Sequence, residues 1–208
     1  MKSRLKLLAL FLSFQTLVFS QSSKKILSDR PFPDFTFHAG LGYLFKNNGY
    51  NSRFQLDYFL KERFSMGAAI NFINEEFRSG PQSFKNCGLL EGEGRPHRTF
   101  IFLSFPTSYH LLSENKRQRG TFSLGPAIGL HTYPKEFIEK KHSGFLIPSS
   151  TCIEIINANK IFIGLDAQLK ADVLIGKRTG VFIGYNLLIA PDNQIKGIIQ
   201  AGYQMTLS

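Results

Sequence analysis

An all-β fold is predicted: an antiparallel, up-and-down β-barrel that crosses a bilayer, with eight strands expected and ten the alternative. Three observations predict it. From Ile161 to Ile175, one face reads Ile161, Ile163, Leu165, Ala167, Leu169, Ala171, Val173, Ile175, and the other Phe162, Gly164, Asp166, Gln168, Lys170, Asp172, Leu174. A period of two marks a strand with one apolar and one largely polar face. The run is also long, since soluble strands usually stop at about 5–6 residues and a tilted spanning strand needs roughly 9–11. The same alternation recurs along the chain, and the N-terminus carries an export signal: basic Lys2, Arg4 and Lys6, apolar Leu7 to Val18, and Ser20 at the expected cleavage point.

The elements follow in order. Residues 1–20 are the signal peptide, 21–33 a periplasmic lead-in with two prolines, and 34–208 the barrel domain. Phe35, Phe37, Ala39, Leu41, Tyr43 and Phe45 oppose Thr36, His38, Gly40 and Gly42 in a first strand, which Lys46-Asn47-Asn48-Gly49 turns. Phe54, Leu56, Tyr58 and Leu60 oppose Arg53, Gln55 and Asp57 in a second; after Lys61-Glu62-Arg63, Phe64, Met66, Ala68, Ile70 and Phe72 form a third. Residues 74–98, rich in Gly and Pro, read as the longest loop. A fourth strand spans Thr99 to Leu112, a charged turn 113–120, a fifth strand Thr121 to Tyr133, and a second polar loop 134–147. Weak alternation over 148–156 precedes a turn at 157–160, then come the 161–175 strand, Val181 to Ala190, a turn at 191–193 and Ile195 to Leu207. These segments number nine, whereas single-chain bacterial barrels have even strand counts. Segment 148–156 is the weakest, which leaves eight; a tenth hidden in a loop would make ten.

No apolar stretch after the signal reaches the length of a membrane helix, so a spanning chain must use strands in a closed barrel. A soluble secreted barrel would point its apolar face inward and coat the outside with charge. Here the polar strand faces are rich in Gly, Ala, Ser, Asn and Gln, which suit a tight lumen. The formal charge is +10, or +7 without Lys2, Arg4 and Lys6. The excess sits in clusters at Lys61-Glu62-Arg63, Lys116 to Arg119, Lys140-Lys141 and Lys177-Arg178, read as solvated loop charge that could also meet lipid phosphates. Nucleic acid is excluded as a partner, because the chain is exported and has no recognition motif. Cys87 and Cys152 enter an oxidising compartment, where a disulfide between them is an open expectation.

Two segments carry a family resemblance. Phe102-Leu103-Ser104-Phe105-Pro106-Thr107-Ser108-Tyr109 resembles the proline-bearing fourth strand of the porin-family outer-membrane β-barrel domain, and Phe122-Ser123-Leu124-Gly125-Pro126-Ala127-Ile128-Gly129 is similar to its Gly-Pro fifth strand. The resemblance implies a small, mostly eight-stranded barrel in the outer membrane of a Gram-negative bacterium, with no settled activity. It also implies contact with outer-membrane lipid and lipopolysaccharide, and insertion by the barrel assembly machinery. One departure is Leu207, followed by Ser208, where such barrels commonly end in an aromatic.

The candidate site is the lumen. Arg53, Lys170 and Lys196 face Asp57, Glu154, Asp166 and Asp172 there, beside His38 and His131. Opposite charges buried together must pair, because isolated they are strongly unfavourable. Such pairing blocks a water path, so a structural or surface-interaction role is expected, with loops 74–98 and 134–147 outside and their partner unspecified. Two alternatives are a narrow porin-like channel and a lipid-modifying enzyme using Ser108 and His110, which share one strand face. No acid is evident beside that pair, no hydrolase or metalloprotease motif occurs, and His38, His131 and Glu154 lack metal-ligand spacing. No catalytic residue, metal or cofactor is therefore expected.

Overall fold

Strands that alternate in polarity must place one face against lipid and the other against each other, and the ladder must close so that no edge is left. A computed structural model describes residues 35–77, 84–85, 93–113, 117–144, 147–176, 178–191 and 194–207; the expected signal peptide and lead-in lie outside them. The strands are β1 (Phe35–Leu44), β2 (Gly49–Lys61), β3 (Phe64–Glu76), β4 (Phe84–Lys85), β5 (Glu93–Gly94), β6 (His97–Ser104), β7 (Thr107–Leu112), β8 (Gln118–Gly144), β9 (Ile147–Leu174), β10 (Thr179–Ala190) and β11 (Gln194–Leu207). β4 and β5 pair only with each other. The rest form one antiparallel ring in which β1 meets both β2 and β11, and β6 and β7 jointly fill the place between β3 and β8. Counting β6 and β7 as one broken strand, the ring has eight positions.

The break falls at Phe105-Pro106 but the register does not slip. Ser104 pairs with Ala127 and Thr107 with Leu124, so Phe105 stands opposite Pro126 and Pro106 opposite Gly125. A proline has no N–H to give. Pro106 still accepts from the Gly67 N–H (2.9 Å), and Pro126 from the Phe105 N–H (3.0 Å), but neither returns a bond. Two rungs are thus lost beside the fourth strand while the inside–outside alternation runs through unbroken.

Outward side chains are apolar: Ile161, Ile163, Leu169 and Val173 on β9 and Val181, Ile183 and Tyr185 on β10 are all exposed. Aromatic pairs stand at both ends of this surface, Phe35–Tyr58 (5.1 Å between ring centres) and Phe64–Tyr109 (5.0 Å) at one, Tyr43–Phe45 (5.1 Å) at the other. Short turns join β2 to β3, β7 to β8 and β9 to β10 at the first end, where Phe35 and Leu207 also lie; the second end carries the longer connection between β3 and β6. At that end Asn48 holds a positive φ (42°) in the β1–β2 turn, a conformation Asn tolerates.

Four expectations are corrected at the second end. The polar loop 134–147, the separate segment 148–156 and the turn 157–160 are all one hairpin, because β8 and β9 stay paired from Gln118–Val173 to Gly144–Ile147. The other neighbours stop earlier, at Thr132 on β8 and Leu165 on β9. At about 3.3 Å per residue, the stretch from Tyr133 to Gly144 reaches roughly 40 Å beyond the ring. Lys135, Glu136, Ile138, Glu139 and Lys140 are exposed along it, so no apolar side reveals it; β-branched and aromatic cross-strand pairs such as Phe137–Ile155 and the Lys140–Glu154 ion pair (2.5 Å) hold it instead. The loop expected at 74–98 is also shorter, since β3 runs on to Glu76 and β6 begins at His97.

The boundary between ring and hairpin is testable. Leu169→Arg puts a charge on the lipid-facing surface and is expected to cost about 2–4 kcal/mol in a refolding titration in lipid. Ile138→Arg, on the projecting hairpin, is expected to cost well under half of that. Equal costs would place Ile138 inside the bilayer too.

Candidate functional site

The inward faces meet in a lumen filled by side chains, in three polar groups and one apolar layer. At the long-loop end, buried Glu75 takes ion pairs from both Lys196 and Arg98, and accepts a hydrogen bond from Asn47 Nδ2 (2.8 Å). The Lys196 ammonium lies 5.1 Å from the Phe100 ring centre, and His131 stacks on that ring at 4.0 Å. A weakly hydrated aromatic face beside a shared carboxylate is a favourable seat for a buried cation.

Inside this group comes an apolar septum of Leu44, Ile73, Phe100, Phe102, Ala127, Phe162, Leu188, Ala190 and Ile198. Its position follows from the strand period. Along β3 the inward order is Asn71, Ile73, Glu75, and along β11 it is Gln200, Ile198, Lys196, so the apolar step lies between two polar ones.

The middle group is built on Arg53 and Asp166, which reach each other from opposite sides of the ring (2.7 Å). Arg53 also donates to Asn71 Oδ1 (3.0 Å) and Gln55 Oε1 (2.9 Å), and Ser104 Oγ donates to Asp166 Oδ2 (2.6 Å). Asn186, with its amide turned to suit its neighbours, donates to Asp166 Oδ1 (3.2 Å). Gln55 Nε2 then carries the network on, donating to both oxygens of Asp57 (2.8 and 2.9 Å).

Asp57 opens the third group, nearest the short turns. His38 Nε2 lies 3.1 Å from Asp57 Oδ2, and the Lys170 ammonium lies 3.1 Å from His38 Nδ1. One neutral tautomer satisfies both contacts, with Nε2–H donating to the carboxylate and Nδ1 accepting from the ammonium. Lys170 lies 3.7 Å from Asp172, whose other oxygen accepts from Arg119 Nε (3.0 Å). The packing leaves no room for growth: a Cβ on Gly67 would stand 2.2 Å from Asp57 Oδ1.

Arg53, Asp57, Asp166, Lys170, Asp172 and Lys196 all lie in the lumen, each at most 4% exposed. Glu154 does not. It sits half-exposed on the projecting hairpin, paired with Lys140, because residues 148–160 extend β9 beyond the ring. Three ionic residues join the set from positions assigned to loops: Glu75, Arg98 and Arg119. Continuing the alternation of β3 past Ile73, or of β8 back past Thr121, reaches Glu75 and Arg119. Among the described residues the lumen then holds five cations and four carboxylates, each within ion-pair or hydrogen-bond reach of a partner in its own group.

Ser108 and His110 do not meet. Ser108 Oγ lies 2.7 Å from Ser123 Oγ, whereas His110 contacts Ser65 Oγ through Nε2 (2.8 Å) and Thr121 Oγ1 through Nδ1 (3.0 Å). Thr121 Oγ1 in turn donates to Asp172 (3.3 Å). This Ser–His–Thr–Asp chain resembles an activated nucleophile in outline, but Ser65 is 0% and His110 1% exposed, and Phe59 stacks over the imidazole at 4.8 Å. No substrate reaches it in this packing. Among the described residues no three metal-ligating side chains converge. Cys152 is buried on the hairpin and disulfide-bonded; Cys87 lies outside the described residues.

Asp166→Asn leaves the Arg53 charge buried without its carboxylate, and is expected to lower stability by about 3–5 kcal/mol in a urea titration of the folded barrel. The double change Arg53→Met with Asp166→Leu removes both charges and is expected to cost less than the single change. A double variant that falls below it would mean that Arg53 is held by its other partners.

No family model matches the sequence, and no curated protein matches it. Among solved structures, the chain is similar to neisserial surface protein A (TM-score 0.53, 10% identity, 84% of this chain and 97% of that one). It also matches the N-terminal barrel domain of Pseudomonas aeruginosa OprF (TM-score 0.49, 10% identity, 82% and 95%) and the attachment invasion locus protein Ail of Yersinia pestis, solved with a heparin analogue (TM-score 0.43, 11% identity, 83% and 99%). The closed antiparallel ring agrees with the first of these likenesses, and the fold is that of a small outer-membrane β-barrel.

Proposed function

We propose that the protein resides in the outer membrane of a Gram-negative bacterium as a non-conducting barrel whose working surface is the long-loop end, above all the β8–β9 hairpin. The observation that carries this reading is the lumen. A septum of aromatic and aliphatic side chains lies between two ion-pair groups, and this supports a closed lumen. A selective pore is lined by charge of one sign at an open constriction, whereas these charges are mixed and mutually neutralised. A lipid-modifying enzyme needs a nucleophile that its substrate can touch, and Ser65 is sealed. What remains for function is the outside: lipid and lipopolysaccharide around the barrel, and a partner for the hairpin. The same reading makes the barrel assembly machinery a partner during insertion, and makes a Cys87–Cys152 bridge a tie for the hairpin.

In planar bilayers the purified protein is expected to give little or no steady conductance; large, ion-selective steps would favour the channel. A peptide tag inserted between Gly144 and Phe145 is expected to be reachable by antibody on intact cells. Access only after lysis would invert the orientation and move the working surface to the other side.

A further inference from the structure

The projecting hairpin has two edges, and the sequence treats them differently. On the β8 side, pairing with β6 ends at Thr132. The edge beyond it carries Pro134, a register shift at 134–136, and Lys135, Lys140 and Lys141. Proline, bulges and lysine are the devices by which an edge strand refuses a foreign strand. On the β9 side, pairing with β10 ends at Leu165. Among the described residues no strand pairs with β9 on that side from Ile147 to Gly164. Here Ile153 to Ile163 reads Ile-Glu-Ile-Ile-Asn-Ala-Asn-Lys-Ile-Phe-Ile, with no proline, glycine or extra residue. Ile156, Asn157, Asn159, Lys160 and Ile161 are exposed along it.

The backbone phase of this edge is set in the ring. The Leu174 N–H donates to the Arg117 carbonyl just before β8 (2.8 Å), and the Ile175 N–H to the Thr179 carbonyl at the start of β10 (3.0 Å). Even-numbered residues of β9 therefore bond towards β8 and odd-numbered ones towards β10. The phase carries into the hairpin, because the extra residue at 134–136 belongs to β8. Ile153, Ile155, Asn157, Asn159 and Ile161 thus aim their N–H and C=O groups at the open edge.

A second copy of the same edge answers this pattern. Laid antiparallel about a two-fold axis at Asn157, Ile153 faces Ile161, Ile155 faces Asn159 and Asn157 faces itself, all as hydrogen-bonded pairs. The even residues form the non-hydrogen-bonded pairs, whose Cα atoms approach to about 4.5 Å and whose side chains lie closest. Glu154 faces Lys160 there, twice by symmetry, and these are the two charges between Ile153 and Ile163. The next registers on either side set Glu154 against Phe162 or Ala158 instead. Both charges are also engaged within their own copy, Glu154 by Lys140 (2.5 Å), so they select the register while the backbone supplies the pairing.

We propose that the β9 edge pairs antiparallel with the same edge of a second copy. Because the two strands run oppositely, their barrels lie at opposite ends of the paired arms, in facing membranes. The contact is homophilic and joins one cell surface to another. It rests on the reading of the hairpin as the outer working surface.

The test uses the full chain refolded into phosphatidylcholine vesicles with the hairpins outward, as cleavage by added trypsin verifies. One population carries a donor dye and one an acceptor, and energy transfer reports clustering. Protein-bearing vesicles are expected to cluster with each other and not with protein-free ones. Glu154→Lys and Lys160→Glu, each on both populations, are expected to abolish clustering, since like charges then face each other. Glu154→Lys vesicles mixed with Lys160→Glu vesicles are expected to cluster again. Asn157→Pro removes an N–H that β8 does not use, and is expected to weaken clustering with the hairpin intact. Wild-type vesicles that stay apart, clustering with protein-free vesicles, clustering that survives either charge variant, or a variant mixture that stays apart would overturn the proposal. A hairpin tag hidden on intact cells would instead overturn the surface reading, and with it the contact between cells, whatever the vesicles do.

Discussion

The pairing of β1 with β11 is the constraint on which the rest of the structure depends. It joins Phe35 to Leu207 across nearly the whole barrel sequence and turns an open sheet with two edges into a ring with none. Once eight positions close, the interior is only wide enough for side chains to fill it. Every inward position then becomes a packing problem: glycine where a neighbour's side chain must lie over the backbone, as at Gly67 under Asp57, and a polar side chain only where partners are in reach. The ionic groups are a consequence of closure. Arg53 and Asp166 meet because the ring is narrow enough for opposite strands to touch through two side chains.

The fold was largely legible in the sequence because closure leaves a period-two trace, and lipid on one side keeps that trace clean. Strand faces over 35–45, 53–60 and 161–175 could be read, and so could six of the seven lumen charges. Legibility failed wherever lipid no longer constrains the outward face. Residues 134–160 form a ladder in water, where Lys135, Glu139 and Lys140 are as acceptable outward as isoleucine, so the alternation disappears although the pairing does not. Glu154 was misplaced for that reason. Glu75, Arg98 and Arg119 were missed for a related one: they lie at strand ends, where charge reads as turn, yet their side chains turn inward and pair.

The contents of the site were less legible than its walls. Alternation tells which residues face inward but not which of them touch. His110 meets Ser65 and Thr121 on neighbouring strands, and Ser108 meets Ser123, because partners are set by cross-strand register and not by nearness along one strand. The septum was only partly visible: alternation already put Phe162 on the face of Asp166 and Lys170, but only the ring shows that Phe100 and Phe102 point into the lumen with it, Leu188 and Ile198.

The opposed prolines have a mechanical meaning. A barrel wall resists tearing through its rungs, and shear along a strand loads them together. At the Pro106–Gly125 and Phe105–Pro126 positions the wall lacks one bond towards β3 and one towards β8. A pulling force or a passing thermal fluctuation therefore finds its easiest seam along the fourth strand. The β8–β9 seam carries the longest ladder, running from the rim into the projecting arm with register shifts at 134–136 and 142–144, so a load applied at the tip of the arm passes into the wall along its longest seam.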